Sequence, residues 1–187
     1  MDLLDPVQYG TPERGDGTGM WKIVTDGTLD DNSPYCYMMM AHYFKDTCIV
    51  AKDKATGNML GFIIGFRPPK DQESLFIWQM GTAEAARGKG VASRLLLELA
   101  AANSDISYIK ATVTPTNEAS MNTFKSLAAK LNCNLNVNRN LFRVTDFPVD
   151  SGHMAEDEVV VGPIKHARLQ HAAALLQEKQ VAAAKSA

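Results

Sequence analysis

The stretch ARGKGVAS (86–93) lies between an apolar run, LFIWQMGT (75–82), and a Leu/Ala-rich segment, VASRLLLELAAAN (91–103). It holds two glycines and two cations, with no proline or asparagine. The unbroken apolar character of 75–82 predicts a buried strand, and the recurrence of leucine after 91 predicts a helix. The first amides of a helix have no internal partners, and the helix dipole favours negative charge at that end. Gly88 and Gly90 permit close approach of backbone to a ligand, and Arg87 and Lys89 add positive charge. Strand, glycine loop and helix together read as a phosphate cradle rather than a turn that merely starts a helix.

Two common cradles fit poorly. A nucleotide P-loop needs G-x-x-x-x-G-K-[ST], but Ala83 stands at the first glycine and Gly90 follows Lys89. A dinucleotide fingerprint needs a third glycine where Ser93 stands, and it belongs in the first βα turn of a parallel sheet.

Outward from the loop, Ser33 and Pro34 in DDNSPYCYMMMAHYF mark a helix start. DTCIVAKD and NMLGFIIGFRP read as two strands joined by the turn residues KATGN, the second stopped by Pro68 and Pro69. GMWKIV (19–24) reads as a first strand and SYIKATV (107–113) as a later one. A second helix opens near Pro115 or Thr116. The asparagine-rich NCNLNVNRN is less regular, and LFRVTDF and DEVVVGPI read as late strands. The expected fold class is mixed α/β (α+β), with one domain over 19–164, a flexible segment over 1–18 and an Ala-rich helical or disordered tail over 165–187.

Of the 187 residues 45% are hydrophobic, enough for a core, and the formal net charge of −2 gives no global basic field for nucleic acid. The three cysteines, Cys36, Cys48 and Cys133, have neither C-x-x-C nor zinc spacing, so they read as reduced thiols of a cytoplasmic protein. No signal peptide or membrane span is visible, and no metal constellation.

The loop matches R-x-x-G-x-A as Arg87, Gly90 and Ala92, and Asn117 is followed seven residues on by Phe124. This resembles the acetyl-CoA-dependent N-acetyltransferases of the GNAT superfamily, which often carry Asn and Tyr in those two places. The resemblance implies a central, mostly antiparallel, splayed sheet flanked by helices. LDDNSPYCYMMM (29–40), FIWQMGTAEAARGKGVASRLL (76–96) and SGHMAEDEVVVGPI (151–164) narrow it. From about Trp21 to Ile164 the chain resembles the L-2,4-diaminobutyrate Nγ-acetyltransferases of ectoine biosynthesis. What the resemblance implies is transfer of acetyl from acetyl-CoA to the γ-amine of L-2,4-diaminobutyrate, without a metal, by a homodimer that binds neither nucleic acid nor membrane. Another diamine, a protein amine or a non-catalytic acyl-CoA-binding role are the alternatives.

On that resemblance the cofactor is held by Gln79, Met80, Gly81 and Thr82 on the strand, by Arg87, Gly88, Lys89, Gly90, Val91 and Ala92 in the loop, and by Asn117. The amide of Met80 is the candidate to meet the thioester carbonyl. An aliphatic ammonium titrates near ~10, so a base or desolvation must remove its proton; an imidazole, with an ordinary value of ~6.5, suits that task, and His153 is the matched base. Glu156 shares its face if the segment is helical and opposes it if extended. Asp30, in competition with Asp31, is the candidate partner of the α-ammonium. Ser33, Tyr35 and Tyr37 offer hydroxyls, and Trp78 walls the site. Core packing competes for Tyr35, Tyr37 and Trp78, and helix capping for Asn117. Asp157 reads as part of a solvated acidic patch. With phenylalanine at 124, the proton for the leaving thiolate comes from Tyr35 or water, or the thiolate leaves unaided.

Overall fold

The computed structural model describes residues 6–27, 29 and 31–185, with side chains described as far as Glu178. The elements are β1 (Val7–Gly10), α1 (Gly17–Thr25), α2 (Pro34–Tyr43), β2 (Ile49–Asp53), β3 (Met59–Phe66), β4 (Ser74–Thr82), α3 (Val91–Ala102), β5 (Tyr108–Val113), α4 (Glu118–Leu131), β6 (Leu135–Phe142), β7 (Glu156–Val161) and α5 (His166–Lys185). The strands form one sheet in the order β1-β2-β3-β4-β5-β7-β6. Every neighbouring pair is antiparallel except β4 and β5. A parallel pair needs a crossover, and α3 supplies it.

Alternation along β3 divides the core between the two faces of the sheet. Ile63 faces Val91, Leu95 and Leu99 of α3 and, further along, Phe124, Leu127 and Leu131 of α4. Phe62 and Ile64 face Met20, Ile23 and Val24 of α1 and Tyr37, Met40 and Ala41 of α2. Each large side chain so buried contributes about 1.5–3 kcal/mol.

The parallel pair is short. Ser74, Leu75, Phe76 and Ile77 pair with Tyr108, Ile109, Lys110 and Ala111, and the ladder ends there although both strands continue. On the other side β4 stays paired with β3 as far as Thr82, with a register shift that leaves Trp78 as an extra residue between the Ile77 and Gln79 partners. A bulge bends and twists its strand. Beyond Ile77, therefore, β4 turns away from β5 and the sheet opens.

Three expectations are corrected. GMWKIV is helical, because Met20, Ile23 and Val24 form a buried i, i+3, i+4 stripe. The glycine before them is a packing residue: a Cβ on Gly17 would lie 2.8 Å from the Met38 amide. Residues 7–10, assigned by sequence to a flexible segment, form β1 and pair with 50–53 of β2. The asparagine-rich 135–142 is a strand whose Leu135 and Val137 alternate with Asn136 and Asn138, whereas 143–147 is not a strand but contains a 3-10 turn. At the far end α5 lays Leu169 and Leu176, both buried, into the core. No helix among the described residues is long and apolar enough to cross a membrane.

Candidate active site

A cavity of about 270 Å³ lies at the end of β4, beyond the point where its pairing with β5 stops. Met80, Gly81 and Thr82 line it from the strand, Arg87 and Ala92 from the loop, and Asn117, Ser120 and Thr123 from α4. Ile23, Gly27 and Leu29 line it from the opposite face of the sheet. The cavity is therefore bordered by residues from both faces of the sheet, Met80 from the α3 side and Ile23 and Leu29 from the α1–α2 side.

At the loop Gly88 and Gly90 have φ of 72° and 78°, in the left-handed region. A side chain there is strained by about 1–2 kcal/mol. No atom lies within 4 Å of where a Cβ would stand at either glycine, so the backbone faces open space. Gly90 is the N-cap of α3, and no side chain caps that end. The loop thus fits the pyrophosphate of a coenzyme: exposed amides, the positive end of a twelve-residue helix and two cations, Arg87 and Lys89, both exposed. Arg87 extends beside Gly27, spanning the mouth of the cavity. Val91 is buried in the core and offers backbone alone.

Asn117 caps a helix and borders the cavity. Its Oδ1 accepts the Ser120 amide at 3.0 Å as the N-cap of α4, and the residue lines the cavity. Sequence reasoning missed Ser120 and Thr123, although their spacing of three from Asn117 puts all three on one side of a helix.

Along β4, Met80 packs toward α3, and Gln79 faces the other way, where its Oε1 accepts the Tyr37 hydroxyl at 2.9 Å. Gly81 is in close contact with Phe62, Leu29 and Ile23, which a Cβ would meet at 2.8–3.1 Å. Tyr37 is fully buried and edge-on to Phe62, and burial raises its pKa above the ordinary phenol value. Its hydroxyl is inside the protein, where it fastens α2 onto β4. Tyr35, two residues earlier, is 73% exposed, and Trp78 is 43% exposed at the bulge. Ser33 is the exposed N-cap of α2 and makes no side-chain capping bond. Asp30 lies outside the described residues.

Glu156, half-buried, opens β7, and residues 152–155 before it are not helical, so His153 and Glu156 do not share a helix face. The His153 ring stacks on Phe147, with centroids 5.0 Å apart and planes 17° apart. Met154 touches the Thr116 hydroxyl, which ties this segment to the approach of α4. Asp157 is corrected outright: far from a solvated patch, it is buried and bonded to Arg139 and to the Asn140 amide. Phe124 is packed in the core.

Residues 18–128 match the model of the acetyltransferase (GNAT) family. An L-2,4-diaminobutyric acid acetyltransferase from Halalkalibacterium halodurans is 42% identical over 160 residues, 84% of this chain and 82% of the relative. One from Shouchella clausii is 44% identical over 82% of this chain and 85% of its own length. Among solved structures, the diaminobutyrate acetyltransferase EctA from Paenibacillus lautus, in complex with its substrate L-2,4-diaminobutyric acid and coenzyme A, superposes with a TM-score of 0.78. It is 38% identical, over 84% of this chain and 95% of that one.

Proposed function

The chain belongs to the acetyltransferase (GNAT) family and, within it, to the L-2,4-diaminobutyric acid acetyltransferases, and from that premise we propose how its residues work. It transfers acetyl from acetyl-CoA to the γ-amine of L-2,4-diaminobutyrate, giving N4-acetyl-L-2,4-diaminobutyrate and CoA, a step of ectoine biosynthesis. The observation that carries this is the cavity bordered from both faces of the sheet at the end of β4, with the cationic glycine loop and the start of α3, capped by no side chain, beside it.

Acetyl-CoA, the only cosubstrate the reading requires, supplies an acetyl group already activated as a thioester. The backbone of Arg87 to Ala92 holds its pyrophosphate, with Arg87 and Lys89 neutralising charge. The strand backbone from Gln79 to Thr82, open toward β5, runs beside the pantetheine arm, and the Met80 amide donates to the carbonyl oxygen, where charge grows. Asn117 borders the same arm. Asp30 takes the α-ammonium, Ser33 at the start of α2 receives the carboxylate, and Trp78 walls the amine. His153 takes the γ-ammonium proton so that the nitrogen lone pair is free to attack, and Glu156 stabilises the positive charge that passes through this region. Tyr35, an exposed phenol at the start of α2, donates to the departing sulfur. The catalytic body is the 19–164 domain, to which β1 and α5 are joined. It acts in the cytoplasm as a homodimer, without a metal and without nucleic-acid or membrane partners.

The test is thiol release from acetyl-CoA in the presence of L-2,4-diaminobutyrate, with the acetylated nitrogen read by NMR. The expected product carries acetyl on the γ-nitrogen. His153→Ala should lower kcat at least a hundredfold while acetyl-CoA binding changes little. Preferred turnover of ornithine or a peptide amine would overturn the acceptor, and unchanged kcat would remove His153.

A further inference from the structure

Among the described residues Asp157 alone of the charged side chains is buried, at 1% exposure. Its Oδ1 accepts the backbone N–H of Asn140 at 2.9 Å, and its Oδ2 accepts Nη1 of Arg139 at 2.6 Å. Asn140 has a φ of 54°, in the left-handed region. The β6–β7 ladder pairs Asn138 with Glu158 and next pairs Phe142 with Glu156. Arg139, Asn140 and Leu141 thus stand opposite Asp157 alone, a bulge that bends the end of β6. An anionic acceptor is a strong hydrogen-bond partner, and a buried one left with a lost donor is costly, so the carboxylate holds this irregular backbone in one conformation.

From the bulge a run of ring contacts leads to the candidate base. Phe142 lies 6.4 Å from Phe147, centroid to centroid, and Phe147 carries the stacked ring of His153. On its other side Asp157 is joined directly to Glu156. Both groups that handle the amine are thereby set by the conformation that this carboxylate holds.

We propose that Asp157 is a positioning residue of the transferase: by holding the β6 bulge it places His153 and Glu156 for their work on the substrate amine. What His153 and Glu156 do there rests on the functional reading above. Three variants test the placement. Asp157→Asn keeps the shape but turns one acceptor oxygen into an NH₂ that cannot receive a donor. Asn140→Val leaves Asp157 intact at an exposed position and resists positive φ. Asn140→Gly accepts that φ and retains the amide that Asp157 binds.

In folded protein, Asp157→Asn and Asn140→Val should each lower kcat roughly tenfold to a hundredfold, with KM for acetyl-CoA unchanged. Asn140→Gly should turn over as the natural chain does. A second readout needs no substrate: the His153 ring protons, identified by their loss in His153→Ala, resonate under the face of Phe147. In the first two variants they should move toward free imidazole, and in Asn140→Gly they should stay. Unchanged kcat and ring resonances in both folded variants overturn the proposal, as does a fall in kcat with the ring unmoved. If the natural chain itself acetylates no amine, the functional reading fails, and the ring resonances alone decide whether Asp157 holds His153.

Discussion

Cys48 lies fully buried with its Sγ 3.8 Å from the carbonyl oxygens of Met40 and Gly65. Burial pushes its pKa up to about 12, against an ordinary thiol value near ~8.5. A raised folded-state pKa contributes stability that is complete below the unfolded value and is lost as the pH climbs toward the folded one. Between about pH 8.5 and 12 this thiol should therefore lower the unfolding free energy by up to about 1.4 kcal/mol per pH unit. Urea midpoints at pH 8.5, 9.5 and 10.5 check it: the natural chain should fall more steeply than Cys48→Ala, and parallel slopes would remove the effect. At this scale the sequence was readable where backbone chemistry decides, at Gly90 and Asn117. It was not readable where burial decides. Asp157 and Tyr37 are polar letters whose ordinary place is near the surface, and only their neighbours reveal that both are enclosed.

Among the elements, the loop and the start of α3 act as one device. Gly90 caps the helix with a φ that glycine adopts freely, and it leaves the space in front of the amides open. Gly90→Glu should weaken CoA binding roughly tenfold or more, since it adds both bulk and a negative charge at the anion's place. Gly90→Ala, which adds strain without charge, should lower Tm more noticeably than affinity. Isothermal calorimetry with CoA separates the two, and equal affinities for the natural chain and Gly90→Glu would place the pyrophosphate elsewhere. This device was legible because its chemistry is local. The helix at 17–25 was not, because Gly17 read as part of a flexible segment and Gly19 as the start of a strand until Met38 and Met59 are found against them. The asparagines of β6 concealed a two-residue alternation that runs from Leu135 to Asn138.

Over the whole molecule, the arm between β6 and β7 leaves apolar side chains uncovered. Val149 is fully exposed, and Leu141, Phe142, Val144 and Met154 are exposed beside it. Such a patch, at the edge strand of the sheet, suits an isologous contact with a second copy, and a stable one buries about 1,600 Å² in all. Sedimentation equilibrium should give twice the mass of one chain, and the double variant Val144→Glu with Val149→Glu should give the mass of one. A natural chain that sediments as a monomer would remove the homodimer from the reading. By itself the sequence determined the strand, the anion-binding glycine loop, the helix and the order of most elements, because turn chemistry, helix ends and apolar periodicity act between residues close along the chain; the cofactor class came from the family resemblance that the same residues carry. The opening of β4 from β5, the burial of Asp157 and Tyr37, and the separation of His153 from a shared helical face with Glu156 were decided only in three dimensions. Each depends on the register between strands distant in sequence, and register is set by which faces the whole sheet buries.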